Sequence, residues 1–205
     1  SSTLKTAVPP SYAQKRSACA GLVFAREFWY ACIIIDEGAT AMAASHTRVL
    51  NPLSPVWDGR SRVLVLGAFP SVKSRECGFY YGNPQNRFWR VLAAVFGESD
   101  PAGTQEKRLL ALRHGVALWD VLAECDIIGS SDQSIRNAAV NDVAGLLRRT
   151  GIRTVYCNGK KAGTVYRRCL EPICGLSATV LPSTSPANAA WTFTRLVEAW
   201  RVIAE

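Results

Sequence analysis

The chain has little with which to hold a metal. Only two histidines, His46 and His114, occur in 205 residues, and neither stands at a zinc-ligand spacing. Seven cysteines at 19, 32, 77, 125, 157, 169 and 174 form no Cys-x-x-Cys pair and no four-cysteine array for an iron–sulfur cluster. An odd count at irregular spacing is not a disulfide framework either, so the cysteines read as small buried hydrophobes and surface thiols in a reduced, cytosolic setting. No metal or other cofactor is expected. A membrane-spanning run is also lacking: the most apolar stretch, 21–35, is too short and is broken by Arg26 and Glu27. A polar, proline-containing segment precedes it, unlike the layout of a signal peptide. It reads as an extra strand or helix within an N-terminal extension, 1–45, of unknown role. Internal repeats and low-complexity tracts are absent.

What is present is one domain's worth of chain, long enough to bury a core without disulfides or metals. With 24 basic and 16 acidic residues the formal charge is +8. Such a balance points to a polyanionic partner but says nothing of a reaction.

Four aliphatic runs alternate with helical patterns: Arg62-Val-Leu-Val-Leu-Gly67, Gly115-Val-Ala-Leu-Trp-Asp-Val-Leu122, Ile152-Arg-Thr-Val-Tyr-Cys157 and Ala178-Thr-Val-Leu181. Strands so separated predict an α/β domain over 46–205, three-layer α/β/α with a central, mostly parallel four-stranded sheet. Asn83 as N-cap and Pro84 as first helical residue predict a helix carrying Phe88, Trp89, Leu92, Val95 and Phe96 inward, which puts Asn86 in its first turn. Further helices are expected over 104–113, 141–149, about 160–170 and about 189–204, and a loop over 124–132.

Open α/β sheets place ligands at the carboxyl ends of their strands, which draws attention to Gly67-Ala68-Phe69-Pro70-Ser71. Gly78-Phe-Tyr-Tyr-Gly82 then sets three aromatic rings in a row, a loop suited to a flat ligand. Asp120, near the end of the second strand, is a candidate acid or base, or else orients a neighbouring loop. Residues 129–137 are rich in small polar side chains, fit either to contact a phosphate or base edge or to remain solvated. Gly159-Lys160-Lys161 follows a strand but lacks the rest of a phosphate loop. Lys160 either contacts a nucleic-acid backbone or is an ordinary surface lysine. Ser183-Thr184-Ser185-Pro186-Ala187-Asn188 is either a phosphate clamp at a helix start or a capping-rich loop.

Two of these stretches carry a family likeness. Residues 67–71 followed by Gly78-Phe-Tyr-Tyr-Gly-Asn-Pro-Gln-Asn-Arg-Phe-Trp89, and later Leu181-Pro-Ser-Thr-Ser-Pro-Ala-Asn188, resemble the two signature motifs of the uracil-DNA glycosylase superfamily, nearest its hypoxanthine-DNA glycosylase (DNA-deoxyinosine glycosylase) branch. The likeness covers about 52–205. It implies a DNA-repair enzyme that extrudes a deaminated base, hypoxanthine first and uracil second, and hydrolyses its N-glycosidic bond. It further implies Tyr81 as the ring that stacks on the flipped base, Gly67, Ala68, Phe69, Pro70 and Ser71 as the pocket wall and its backbone donors, and residues 183–188 as the loop that compresses phosphates. Where some relatives carry an asparagine that positions water, this chain has Phe69, whose ring cannot orient water. The resemblance therefore makes Asn86 the main catalytic amide, either fixing the water or donating to the leaving base. No lysine lies in either motif to form an imine with the sugar, so the expected enzyme is monofunctional. The expected partner is double-stranded DNA, with single-stranded DNA left open, bound by a monomer. Alternatives are a lesion-binding protein without catalysis and a small-molecule hydrolase on the same scaffold.

Overall fold

Val63 to Leu66 alternate strictly in direction, Leu64 and Leu66 entering one core and Val65 the other. A strand buried on both faces needs such a continuous aliphatic run. The computed structural model describes residues 46–205; the N-terminal extension expected at 1–45, with its apolar stretch, lies outside the described residues. In chain order the elements are β1 (Thr47–Leu50), β2 (Val63–Gly67), α1 (Val72–Cys77), α2 (Phe88–Phe96), α3 (Thr104–Arg113), β3 (Val116–Asp120), β4 (Leu122–Ile127), β5 (Arg136–Val140), α4 (Val143–Arg149), β6 (Thr154–Asn158), α5 (Lys160–Val165), α6 (Glu171–Cys174), β7 (Ala178–Leu181) and α7 (Phe193–Trp200).

The four expected strands form one all-parallel sheet in the order β3-β2-β6-β7. On one face, Phe88, Trp89 and Leu92 of α2 pack with Leu196 and Trp200 of α7 and Leu110 of α3; on the other, Val143 and Leu146 of α4 pack with Ala162 and Val165 of α5. This is the three-layer α/β/α arrangement. Each fully buried large side chain stabilises it by about 1.5–3 kcal/mol.

A second sheet was not expected. β4 pairs antiparallel with β1 and β5, and its residues 124–127 fall where the sequence reads as loop. The strand is half-buried: Cys125 and Ile127 face the core, while Glu124 and Asp126 face out and meet Arg48. Charged alternates of that kind mimic a solvated loop.

Helix boundaries also differ. α2 begins at Phe88, not at Pro84, because Asn83 caps a turn of its own: its Oδ1 accepts from Gln85 N and its carbonyl from Asn86 N. α7 begins at Phe193, capped by the Thr192 side chain, so the turn over 185–188 stands apart from its start. The helix expected over 160–170 widens into a π turn at Tyr166–Leu170 before α6. Pro172 has no N–H to return to the preceding turn, and the helix rewinds around that gap. α1, absent from the sequence reading, is capped by Ser71 Oγ on Ser74 N and closed by Gly78 at φ 68°.

The ends of the parallel strands align. Gly67 is in register with Asp120, Leu66 with Cys157, and Asn158 with Leu181, so Gly67, Asp120, Asn158 and Leu181 share one level at the carboxyl edge. The strand order reverses between β2 and β6, the point where open α/β sheets leave a crevice for ligands. A Cβ at Gly67 would stand 2.3 Å from Asp120 Oδ1, so any larger residue there requires the carboxyl to shift. We expect Gly67→Ala to destabilise the fold by about 1–3 kcal/mol through overpacking, which lowers Tm by roughly 2–4 °C per kcal/mol. An unchanged melting curve would show that Asp120 moves aside freely.

Candidate active site

A cavity of about 110 Å³ opens at this edge, lined by the whole turn 67–71 and by Tyr81, Asn86, Asp120, Asn158, Ser183 and Ser185 among others. It is smaller than the ~300–1,000 Å³ of pockets that enclose a drug-sized ligand and suits one flat ring system. The expected base-binding residues thus lie together. Phe69 and Pro70 are buried in the wall, where Arg75 covers the Phe69 ring at 5.7 Å and donates to the Pro70 carbonyl at 2.7 Å.

Asn86 is held by its oxygen. Oδ1 accepts from Phe88 N at 3.0 Å and from the Thr184 hydroxyl at 2.9 Å. A backbone N–H can only donate, so this contact fixes which amide atom is oxygen. The same bond satisfies a donor at the start of α2, so the helix-start role common for asparagine is realised here. What it leaves over is Nδ2, which has no hydrogen-bond partner among the described residues.

Thr184 joins three segments. It is 0 % exposed, its Oγ1 accepts from Asn158 Nδ2 at 2.9 Å, and its N–H donates to Asn158 Oδ1 at 3.0 Å. The chain Asn158 to Thr184 to Asn86 therefore has one direction of donation. Thr184 was expected to meet DNA; buried as it is, it cannot reach a phosphate. Ser183 and Ser185 stay part-exposed, but each side chain already accepts a backbone N–H of its own loop, Ser185 N and Ala187 N respectively. Asn188 Nδ2 is likewise tied, to the Ser183 carbonyl. Pro186 and Ala187 form the exposed tip, and Lys160 is exposed at the start of α5, beside Ser183 through Gly159.

Two residues escaped the sequence reading. Asn158 was not singled out, yet a polar side chain at a strand's carboxyl end was a usable signal. Arg87 gave none: its guanidinium donates to the carbonyls of Trp191, of Ser185 at 2.8 Å and of Asn188 at 3.0 Å, while its N–H donates to Thr184 O at 3.1 Å. It pins the second motif onto the first.

Tyr81 adopts a left-handed backbone, φ 52°, a strain of about 1–3 kcal/mol for a residue other than glycine. Packing holds it, one ring face stacked on Phe88 at 3.8 Å between centroids. Only the other face is available to a base. Its hydroxyl is buried without a partner at hydrogen-bonding geometry, although Asn158 lies close by, and burial and the Asp120 charge raise its pKa well above the usual phenol range. Asp120 is 3 % exposed. Burial pushes its carboxyl up to about 7, against the opposing hydrogen bond from Asn51, and the charge of Asp132 adds to the rise. Among the described residues no cluster of His, Cys, Asp or Glu is placed to hold a metal ion, and no helix is long and apolar enough to cross a membrane.

An α/β domain whose sheet edge presents an amide, a phenol and a buried carboxyl around a ring-sized cavity has the form of an enzyme acting on a nucleobase. The profile of the uracil DNA glycosylase superfamily matches residues 55–204, and the chain belongs to that superfamily. It is 37 % identical over 150 residues, 72 % of this chain and 93 % of the relative, to a hypoxanthine DNA glycosylase of Methanosarcina acetivorans. A second, from Methanosarcina barkeri, is 35 % identical over 136 residues, 65 % of this chain and 85 % of the relative. The solution NMR structure of a Methanosarcina acetivorans protein described as a uracil DNA glycosylase superposes with a TM-score of 0.63 at 31 % identity, covering 75 % of this chain and 97 % of that one.

Replacing the hydroxyl at the centre of the network tests its role. Thr184→Val keeps shape but leaves Asn158 Nδ2 without its acceptor and Asn86 Oδ1 one donor short. A loss of about 1–3 kcal/mol in chemical denaturation is expected, while Thr184→Ser retains most of the stability. Equal stability of both variants would remove the hydroxyl from the network.

Proposed function

We propose that this protein is a monofunctional DNA glycosylase that hydrolyses the N-glycosidic bond of deaminated bases, deoxyinosine first and deoxyuridine second. The observation that carries the reading is the Asn86 amide, locked through its oxygen so that its N–H₂ is the group left for a ligand of the cavity. The names of its Methanosarcina relatives, each covering most of its own length, support the choice of base.

Cleavage begins with extrusion of the nucleotide, since the reacting carbon is out of reach within a stacked duplex. The base enters between the turn 67–71 and the free face of Tyr81. As the C1′–N bond breaks, its electron pair passes to the base, and Asn86 Nδ2 donates to the charge that develops there. Donation, not water activation, suits this amide: its oxygen is already occupied, and a neutral amide is a poor base. Backbone N–H groups of the turn serve the base edge, and the exposed Pro186–Ala187 tip fills toward the vacated stack while Lys160 meets the phosphate backbone. Among the described residues no lysine lines the cavity, in keeping with hydrolysis without an imine. A DNA substrate follows from the superfamily; duplex rather than single-stranded DNA, a monomeric enzyme and a reduced cytoplasmic location complete the proposal, the last in keeping with free thiols at Cys77, Cys125, Cys157 and Cys174.

Single-turnover release of free base from a duplex containing deoxyinosine is the direct test. Wild type releases hypoxanthine, and Asn86→Ala is slower by about 10²–10³-fold, the usual effect of losing one donor to developing charge. Undiminished release by the variant removes Asn86 from its role. Tight lesion binding with no release from any deaminated substrate favours a binding protein instead.

A further inference from the structure

Beside Gly67 the Tyr81 hydroxyl is buried with no partner among the described residues, and of the two oxygens of Asp120 only Oδ2 takes part in a hydrogen bond. The point where a Gly67 Cβ would stand is 2.3 Å from Asp120 Oδ1 and 3.6 Å from the Tyr81 hydroxyl, so both reach into the slot that the missing side chain leaves. Buried polar atoms are nearly always satisfied, and an unpaired one at a cavity wall calls for an explanation, a catalytic role among them. The other oxygen of Asp120 is accounted for. Asn51 Nδ2 donates to Oδ2 at 3.1 Å, and an oxygen that accepts a held N–H is the carbonyl oxygen of a neutral acid. In the protonated form the carbonyl oxygen is the better acceptor, so Oδ2 keeps the Asn51 N–H and the proton goes to Oδ1, on the side of the cavity that Asp120 lines.

We propose that Asp120 is a further catalytic residue: its Oδ1–H protonates N7 of the extruded purine as the C1′–N9 bond breaks. The inference rests on the glycosylase reading above. The bonding pair of C1′–N9 goes to the purine, the O–H bond of Asp120 breaks as N7–H forms, and the base departs neutral instead of as an anion. Water adds to the cationic C1′, and the proton it sheds restores the acid. No oxidant or further reactant is needed. Asn86 and Asp120 then act on the same departing ring by different means, one by a hydrogen bond and one by proton transfer.

The surroundings hold Asp120 in the form this requires. Asn51 faces it from the segment after β1 and is neutral, Gly67 of β2 has no side chain, and Tyr80 and Tyr81 from the aromatic loop are kept protonated by burial. Asp132, from the turn before β5, contributes a like charge, and no lysine or arginine among the described residues is paired with it. Burial is the main cause that raises the carboxyl to about 7, with the Asp132 charge the lesser one; that is near the value at which an acid is most useful around neutral pH.

The test compares single-turnover base release from duplexes carrying deoxyinosine or 7-deaza-2′-deoxyinosine, which lacks the N7 acceptor, across pH for wild type and Asp120→Asn. On deoxyinosine the wild-type rate is highest with the acid protonated and falls as pH rises past about 7; the variant is about 10²-fold slower and has no such limb. On the 7-deaza duplex both proteins run at the same slow rate. A variant that slows both substrates by one factor has a structural defect only, and the proposal fails. Should the variant not fold, the wild type alone decides: the same pH limb and rate on both substrates overturns the proposal. Wild type that releases no hypoxanthine at all sinks the glycosylase reading itself, whereas release with an Asp120→Asn profile like wild type sinks only the acid.

Discussion

The site depends on the direction in which one buried hydroxyl donates. Thr184 accepts from Asn158 and so gives its own proton to Asn86, whose oxygen also receives the N–H at the start of α2. Two donors on that oxygen leave the amide one orientation. The three residues are far apart in the chain and come from a strand end, a loop and a helix start, so the amide is set by the tertiary fold and not by local preference. Arg87 enforces the same join through backbone carbonyls, which lets the second motif change its exposed tip without loosening the site beneath.

Around this fixed amide the chain tolerates features that a stability-driven core would not. Among the described residues Asp120 lies buried without a paired cation, Tyr81 holds a left-handed backbone, and its hydroxyl lacks a partner. Each is unfavourable by itself, and all of them border one small cavity. Departures from good local practice concentrate where function requires them. The compensation comes from the layers on either side: Phe88 and Trp200, both fully buried, secure the aromatic loop and α7, and the aliphatic strands secure the sheet edge.

Much of this was legible in the sequence, for identifiable reasons. The parallel strands announced themselves because both faces are buried and the runs are aliphatic throughout. The turn 67–71, Tyr81 and Asn86 could be read together because the first motif is contiguous, and they line one cavity. β4 was hidden because its outward residues are acidic and pair with Arg48 across the sheet. The start of α2 was misplaced because Asn83 and Pro84 have capping chemistry that serves a turn equally well. Thr184 was misassigned to DNA because a hydroxyl in a polar loop reads as exposed; only the fold reveals that it faces inward. Asn158 and Arg87 act on residues tens of positions away, a relation that local pattern cannot carry.

The central claim is that a single base sits with its edge at the amide of Asn86, in a slot whose floor is Gly67 and Asp120. A structure bound to a duplex containing a non-cleavable deoxyinosine analogue tests this most directly. The account predicts the purine extruded between the 67–71 turn and Tyr81, with Asn86 Nδ2 and Asp120 Oδ1 each within hydrogen-bonding distance of ring atoms. A purine bound elsewhere, or one whose edge turns away from both side chains, would contradict it.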